Sequence, residues 1–235
     1  MDVYRLRRTI GAILALVICA VVIATNAPEY NEISPTPEKQ SQLTPQPSSS
    51  TRAADALKTL AIKGRAPKAD YSRDKFGTGW GKITGCDVRN VILHRDLENV
   101  ILDGCNVISG ILHDPYTGKA IFFERGSDTS SLVQIDHVVA LSDAWQKGAQ
   151  QLSYDRRVAF ANDPLELLAV DGPANMQKSD GDAATWLPPN KSFRCAYVAR
   201  QIAVKQKYSL WITIAEHNAI EGVLDDCPEQ LLPIP

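Results

Sequence analysis

Four cysteines that follow an export-type N-terminus constrain this chain more than any other feature. Cys86, Cys105, Cys195 and Cys227 all lie beyond a positive start (Arg5, Arg7, Arg8) and an apolar run, Ile10 to Ala24, that holds the fifth cysteine, Cys19. An apolar run of about 15 residues suits a signal-peptide core and falls short of the roughly 20 that a membrane span needs. Residues 1–27 are therefore expected to be a signal peptide, with Ala24 or Ala27 before the cleavage site, or else a slightly short anchor left uncleaved. In both cases the basic end stays cytoplasmic and the rest is exported, secreted or tethered at the outer face of the membrane. Bulky Val17 and Ile18 before Cys19 argue against lipidation. An even set of cysteines in an exported chain suggests disulfides. Three pairings are open. The sequence-local pairs, Cys86–Cys105 and Cys195–Cys227, are favoured, each contributing about 3 kcal/mol by restricting the unfolded chain. A four-cysteine zinc site is disfavoured because no Cys-x-x-Cys pair is present.

Residues 28–52 carry Pro28, Pro35, Pro37, Pro45, Pro47 and Ser48-Ser49-Ser50. With little that is large and apolar, the segment cannot build a core and is expected to be a disordered linker. One exported domain is expected over residues 53–228, with 229–235 as a tail. The formal net charge of −2 excludes a generally basic protein, so any nucleic-acid contact must rest on local patches.

Within the domain, Ala53 to Leu60 has the spacing of a short helix ended by Gly64 and Pro67. The glycines of Phe76-Gly77-Thr78-Gly79-Trp80-Gly81 are not followed by a strand-to-helix pattern, which argues against a nucleotide loop. Asp87 to Leu97 reads as a helix, and Asn99 to Leu112 as strands. Asp114-Pro115-Tyr116-Thr117-Gly118 is a turn, and Lys119 to Phe123 the returning strand of a hairpin. Leu132 to Val139 is a strand, Ala140 to Phe160 a polar, partly helical connection, and Leu165 to Val170 a second strand. Asp171-Gly172-Pro173 then opens a helix that carries Asn175 and Lys178.

At the end of the first of those strands stands Asp136-His137. A carboxylate beside an imidazole can place a divalent metal next to a general base, the pairing that metal-assisted phosphodiester hydrolysis uses. Ideal strand geometry sends the two side chains to opposite faces, so the strand is expected to break or bulge at His137.

Strand, long loop, short strand and helix, with Asp136-His137-Val-Val, Asn162 and Asn175-Met-Gln-Lys178 at their positions, resemble the HNH nuclease superfamily in its His-Asn-Asn form. Further blocks, Asp114-Pro-Tyr-Thr-Gly118, Gln134-Ile-Asp-His-Val-Val-Ala-Leu141, Ala161-Asn-Asp-Pro164 and Trp186-Leu-Pro-Pro-Asn190, extend the resemblance to exported bacterial HNH-endonuclease-like proteins over about Tyr71 to Cys227. The resemblance implies an α+β fold: a ββα-metal finger (core 132–181) embedded in a larger disulfide-stapled domain with flanking helices and a β-hairpin. It implies that His137 activates water and that Asp136 and Asn175 hold one divalent metal, Mg²⁺ or Mn²⁺. Asn162 would orient the finger and His137, and Lys178 would contact phosphate. DNA is the expected substrate, read with little sequence preference, with RNA as the alternative; an inhibitor protein is unknown. A binding or envelope-associated module that keeps the fold without activity is the competing class.

Other candidates carry less. His94, His113 and His217 read as surface residues, Asp180 and Asp182 as solvated loop charges, and Arg89 as a partner of Asp87 or Asp96. The best basic patch runs from Ala183 to Ala215, with Lys191, Arg194, Arg200, Lys205 and Lys207. Lys191 and Arg194 are its candidate substrate contacts. Phe193, Tyr197, Val204 and Tyr208 fall on the apolar face of a helix there, whose charged face either lies on a nucleic-acid backbone or is solvated.

Overall fold

The computed structural model describes residues 51–233. The expected signal or anchor and nearly all of the linker lie outside the described residues. Among the described residues no helix is long and apolar enough to cross a membrane.

The chain forms a mixed α+β fold. Helix α1 (Ala53–Leu57) is followed by a 3-10 turn (Arg73–Phe76) and a small hairpin, β1 (Lys82–Ile83) and β2 (Cys86–Asp87). Thr84 and Gly85 both have positive φ, as a two-residue hairpin turn requires. Helix α2 (Val88–Asp96) begins where Asp87 accepts from the backbone N–H of Asn90, a side-chain cap. Strands β3 (Leu97–Asp103), β4 (Asn106–His113) and β5 (Ala120–Glu124) make an antiparallel sheet in sequence order.

The favoured cysteine pairs are the ones formed. Cys86–Cys105 joins the β1–β2 hairpin to the β3–β4 turn, and Cys195–Cys227 ties the start of α6 (Arg194–Lys207) to the chain beyond α7 (Ile214–Leu224).

Between these parts lies the unit that positions the site. Strand β6 (Val133–His137) pairs antiparallel with β7 (Leu167–Asp171), and helix α5 (Gly172–Lys178) follows directly. Asp171 caps α5 by accepting from Ala174 N, with Pro173 in the first turn. The connection from β6 to β7 holds α3 (Leu141–Gln146) and α4 (Tyr154–Ala161).

Strand β7 is buried on both faces. Leu167 and Ala169 enter a core with Val88, Ile92, Leu112, Phe123, Val133 and Ile135, while Leu168 and Val170 enter another with Ala56, Tyr116, Tyr197, Val198 and Ile220. Two-residue alternation thus threads one strand between two cores, and this clamps the β6–β7 pair. A third cluster, with Phe76, Trp145, Phe160 and Tyr208, fixes α3 and α4.

Candidate functional site

Strand β6 ends at His137, where the sequence requires a break. Val138 N bonds to Glu166 O, and the buried Glu166 carboxylate accepts from Val139 N through both oxygens at 3.1 Å. Burial pushes the Glu166 carboxyl well above its ordinary value. The turn after His137 is therefore gripped from the loop before β7. Asp136 and His137, of opposite strand parity, line one cleft of about 490 Å³ together with Gln134, Asn175, Ser142, Asp180, Tyr71, Arg73, Trp80 and Arg89.

His137 is buried, and its Nε2 lies 3.0 Å from the carbonyl oxygen of Ala161. A carbonyl only accepts, so Nε2 carries the proton and Nδ1 is the basic nitrogen. Burial lowers the His137 pKa to about 3, against the opposing effect of the Ala161 carbonyl. The imidazole is thus neutral at ordinary pH, the form that takes a proton. Trp80 lies parallel to it, with ring centroids 5.9 Å apart and planes 6° apart. A second cavity of about 150 Å³, lined by Arg73, Phe76, Gly77, Trp80 and Ala161, also reaches His137.

Asp136 is held from two sides. Tyr116 donates to Oδ2 at 2.5 Å, and Lys178 Nζ donates to Oδ1 at 2.9 Å and to the His137 carbonyl at 2.8 Å. Burial pushes the Asp136 carboxyl upward, while Lys178 and the Tyr116 hydroxyl pull it down. Lys178 is fully buried within this set. It therefore braces Asp136 and the strand end, and is not the exposed phosphate contact expected of it. One helical turn before it, Asn175 Nδ2 donates to Gln134 Oε1 at 2.9 Å, while Asn175 Oδ1 has no hydrogen bond among the described residues.

Asn162 stands at the C-terminal end of α4 outside the cleft lining. Its Oδ1 accepts from Gly81 N at 2.6 Å and its Nδ2 donates to Val158 O at 2.9 Å. It thereby anchors the glycine-rich loop at the residue after Trp80, and its neighbour Ala161 holds the imidazole. Lys191 and Arg194 do not line the cleft: Lys191 is exposed in a 3-10 turn, and Arg194 Nε donates to Pro188 O. The charged side of α6 is not uniformly solvated. Lys205 is buried 2.8 Å from Glu216, and Arg200 donates to Leu165 O. Asp182 is buried against Lys147 and Arg65, unlike the solvated charge expected, whereas Asp180 is exposed at the cleft with Lys68.

Sequence reasoning missed Tyr116, Glu166, Trp80 and Arg73. Tyr116 had a signal, since its turn is one of the resemblance blocks. The structure brings those blocks into contact. Asn190 donates to Pro115 O and Tyr116 O, Trp186 packs 5.0 Å from the Tyr116 ring, and Asp114 accepts from Asp171 N. These contacts hold the turn whose phenol binds Asp136.

Among the described residues no group of three or more His, Cys, Asp and Glu side chains is placed to hold a metal. The oxygen groups lining the cleft are the buried Asp136 carboxylate, the Gln134 and Asn175 amides, the exposed Asp180 and the hydroxyls of Tyr71, Ser142 and Ser179. Such hard donors suit Mg²⁺ or Mn²⁺, ions that retain waters and share their shell with phosphate.

These features define a disulfide-linked α+β domain whose strand–strand–helix unit carries a neutral buried histidine and a braced carboxylate in one cleft. The chain belongs to the family described as GmrSD restriction endonucleases, C-terminal domain, which matches residues 87–222. It is thus a nuclease-family domain, and the matched span holds Asp136, His137, Asn162, Asn175 and Lys178. It is also 38% identical over 218 residues, 91% of this chain and 98% of the relative, to an uncharacterized secreted protein of Arthroderma benhamiae. That relative is fungal, so the bacterial setting of the expected resemblance does not extend to it. No solved structure matches the chain.

Proposed function

We propose that this protein is an exported, metal-dependent endonuclease of the HNH type that hydrolyses DNA phosphodiester bonds with little sequence preference. The observation that supports it most is His137: a neutral imidazole with Nε2 fixed on Ala161 O and Nδ1 free to take a proton, in the cleft that Asp136 and Asn175 also line. Asp136 and Asn175 would hold one Mg²⁺ or Mn²⁺, which supplies charge neutralisation at the phosphate and at the departing oxygen.

His137 Nδ1 takes the proton of the attacking water. Trp80 and the Ala161 carbonyl fix the plane of the ring so that this nitrogen keeps one direction, and Asn162 sets the loop that carries Trp80. Lys178 and Tyr116 hold the Asp136 carboxylate in place, each using one lone pair of one oxygen. The Lys178 charge offsets that carboxylate, so the site alone binds a cation weakly and gains affinity when substrate phosphate is present.

Supercoiled plasmid incubated with the secreted protein tests the reading. Nicking in Mg²⁺ or Mn²⁺ that stops with chelator is expected. No nicking with any divalent metal refutes it, and cleavage of RNA but not DNA reassigns the substrate.

A further inference from the structure

Two arginines of the cleft have no acidic partner among the described residues. Arg89, in the first turn of α2, makes only two long contacts of 3.4 Å, to the carbonyls of Ser130 and Val133. The carboxylates that the sequence offers it are occupied elsewhere. Asp87 caps α2 through Asn90, and Asp96 is held by Arg95 and Ala169 N. Burial and the nearby Arg125 both lower the Arg89 pKa, against a smaller opposing pull from Asp87, which makes no ion pair with it. Arg73 makes no hydrogen bond among the described residues, and its charge helps keep His137 neutral. Other guanidinium groups are satisfied: Arg65 by Asp143 and Asp182, Arg95 by Asp96, Arg157 and Arg200 by backbone carbonyls. Arg89 is half-buried, and such a cation without a close counter-charge is costly unless an anion completes it, whereas the exposed Arg73 has its guanidinium uncommitted.

The two arginines stand toward opposite ends of β6. Arg89 reaches the carbonyl of Val133, and Arg73 lines both cavities that meet at His137. Four residue steps along a strand span about 13 Å, more than a single phosphate group bridges. We propose that Arg73 and Arg89 anchor two different backbone phosphates of one nucleic-acid strand, on either side of the bond presented to His137. This rests on the nuclease reading and adds the footing of the substrate. It also moves backbone binding from α6 to the cleft itself.

The test is binding of a fluorescent DNA oligonucleotide to the full secreted chain in chelator, titrated over salt, for wild type, Arg73→Gln, Arg89→Gln, the double variant and Arg89→Lys. Each single Gln variant is expected to weaken binding about tenfold and to reduce the slope of log K against log salt by roughly 0.7 for a single strand or 0.9 for a duplex. The double variant is expected to lose twice that slope, because the phosphates are different, while Arg89→Lys keeps the slope. Unchanged slopes overturn the proposal, and a double variant no worse than either single one overturns the two-phosphate form of it. These slopes are read without cleavage. A protein that binds with the expected slopes but never nicks sinks the nuclease reading alone.

Discussion

Two regions of this molecule gather charged groups around buried carboxylates, and they differ in what is left over. On one side of α3, Asp143, Asp182 and Glu216 are buried against Arg65, Lys147 and Lys205, with Lys147 within 2.8 Å of all three carboxylates. Three acids meet three bases, and only Arg65 shows appreciable surface. In the cleft, Asp136 is paired with Lys178, but His137 stays neutral with one nitrogen uncommitted and Arg73 and Arg89 have no acid. The closed network balances its own charges through ion pairs and holds α3, α6 and α7 together, although Asp143 Oδ1, Lys205 Nζ and Glu216 Oε1 lack well-aligned hydrogen bonds. The open one keeps basic groups in reserve. Burial of charge alone therefore does not separate the two regions; the uncommitted basic groups do.

The comparison breaks if the closed network proves catalytic or the open one merely structural. Lys147→Met should have the largest effect on folding. It leaves three carboxylates short of a cation and should cost about 3–5 kcal/mol, seen as a lowered denaturation midpoint, with activity per folded molecule retained. A matching loss of turnover in folded protein would erase the distinction. Removing Cys195–Cys227 as a Ser/Ser pair closes a 32-residue separation no longer and should cost about 3–4 kcal/mol by chemical denaturation. Both changes lie on the structural side.

On the other side, Asn162→Ala removes the bonds to Gly81 N and Val158 O and should lower kcat about tenfold with little change in KM, because it acts through Trp80 and His137. A KM effect alone would make Asn162 a substrate contact. The smallest effect concerns acid. The folded pKa of His137 is about 3 against an unfolded value of 6.5. Below 6.5 the unfolded chain takes up a proton that the folded chain refuses, so this contribution to stability is complete above 6.5 and is lost as pH falls toward 3. His137→Gln should flatten stability over that window, and the acid limb of the wild-type rate profile should lie below the usual imidazole range.

Much of the site's scaffold is legible in sequence because it is local. The Asp171 cap, the β6–β7 pair, α5 and the sequence-local cysteines follow from period, capping chemistry and spacing. What is not legible depends on distant partners. Lys178 looks like an exposed helical lysine until β6 closes over it, and Lys205 belongs to the charged face of α6 until Glu216 arrives from α7. Arg89 reads as half of a local ion pair, yet both nearby acids are claimed by backbone and by Arg95. Tyr116 acts on Asp136 across 20 positions of sequence. Periodicity assigns a face to each of these residues; only packing assigns the partner.

The central claim is that the neutral imidazole of His137 does the proton transfer. Relaxation of supercoiled plasmid in Mg²⁺ by His137→Ala, beside wild type at equal folded concentration, tests it most directly. The account predicts a rate lower by roughly 10²–10⁴-fold, with chelated DNA binding within a few-fold of wild type. Nicking at the wild-type rate by His137→Ala would contradict it.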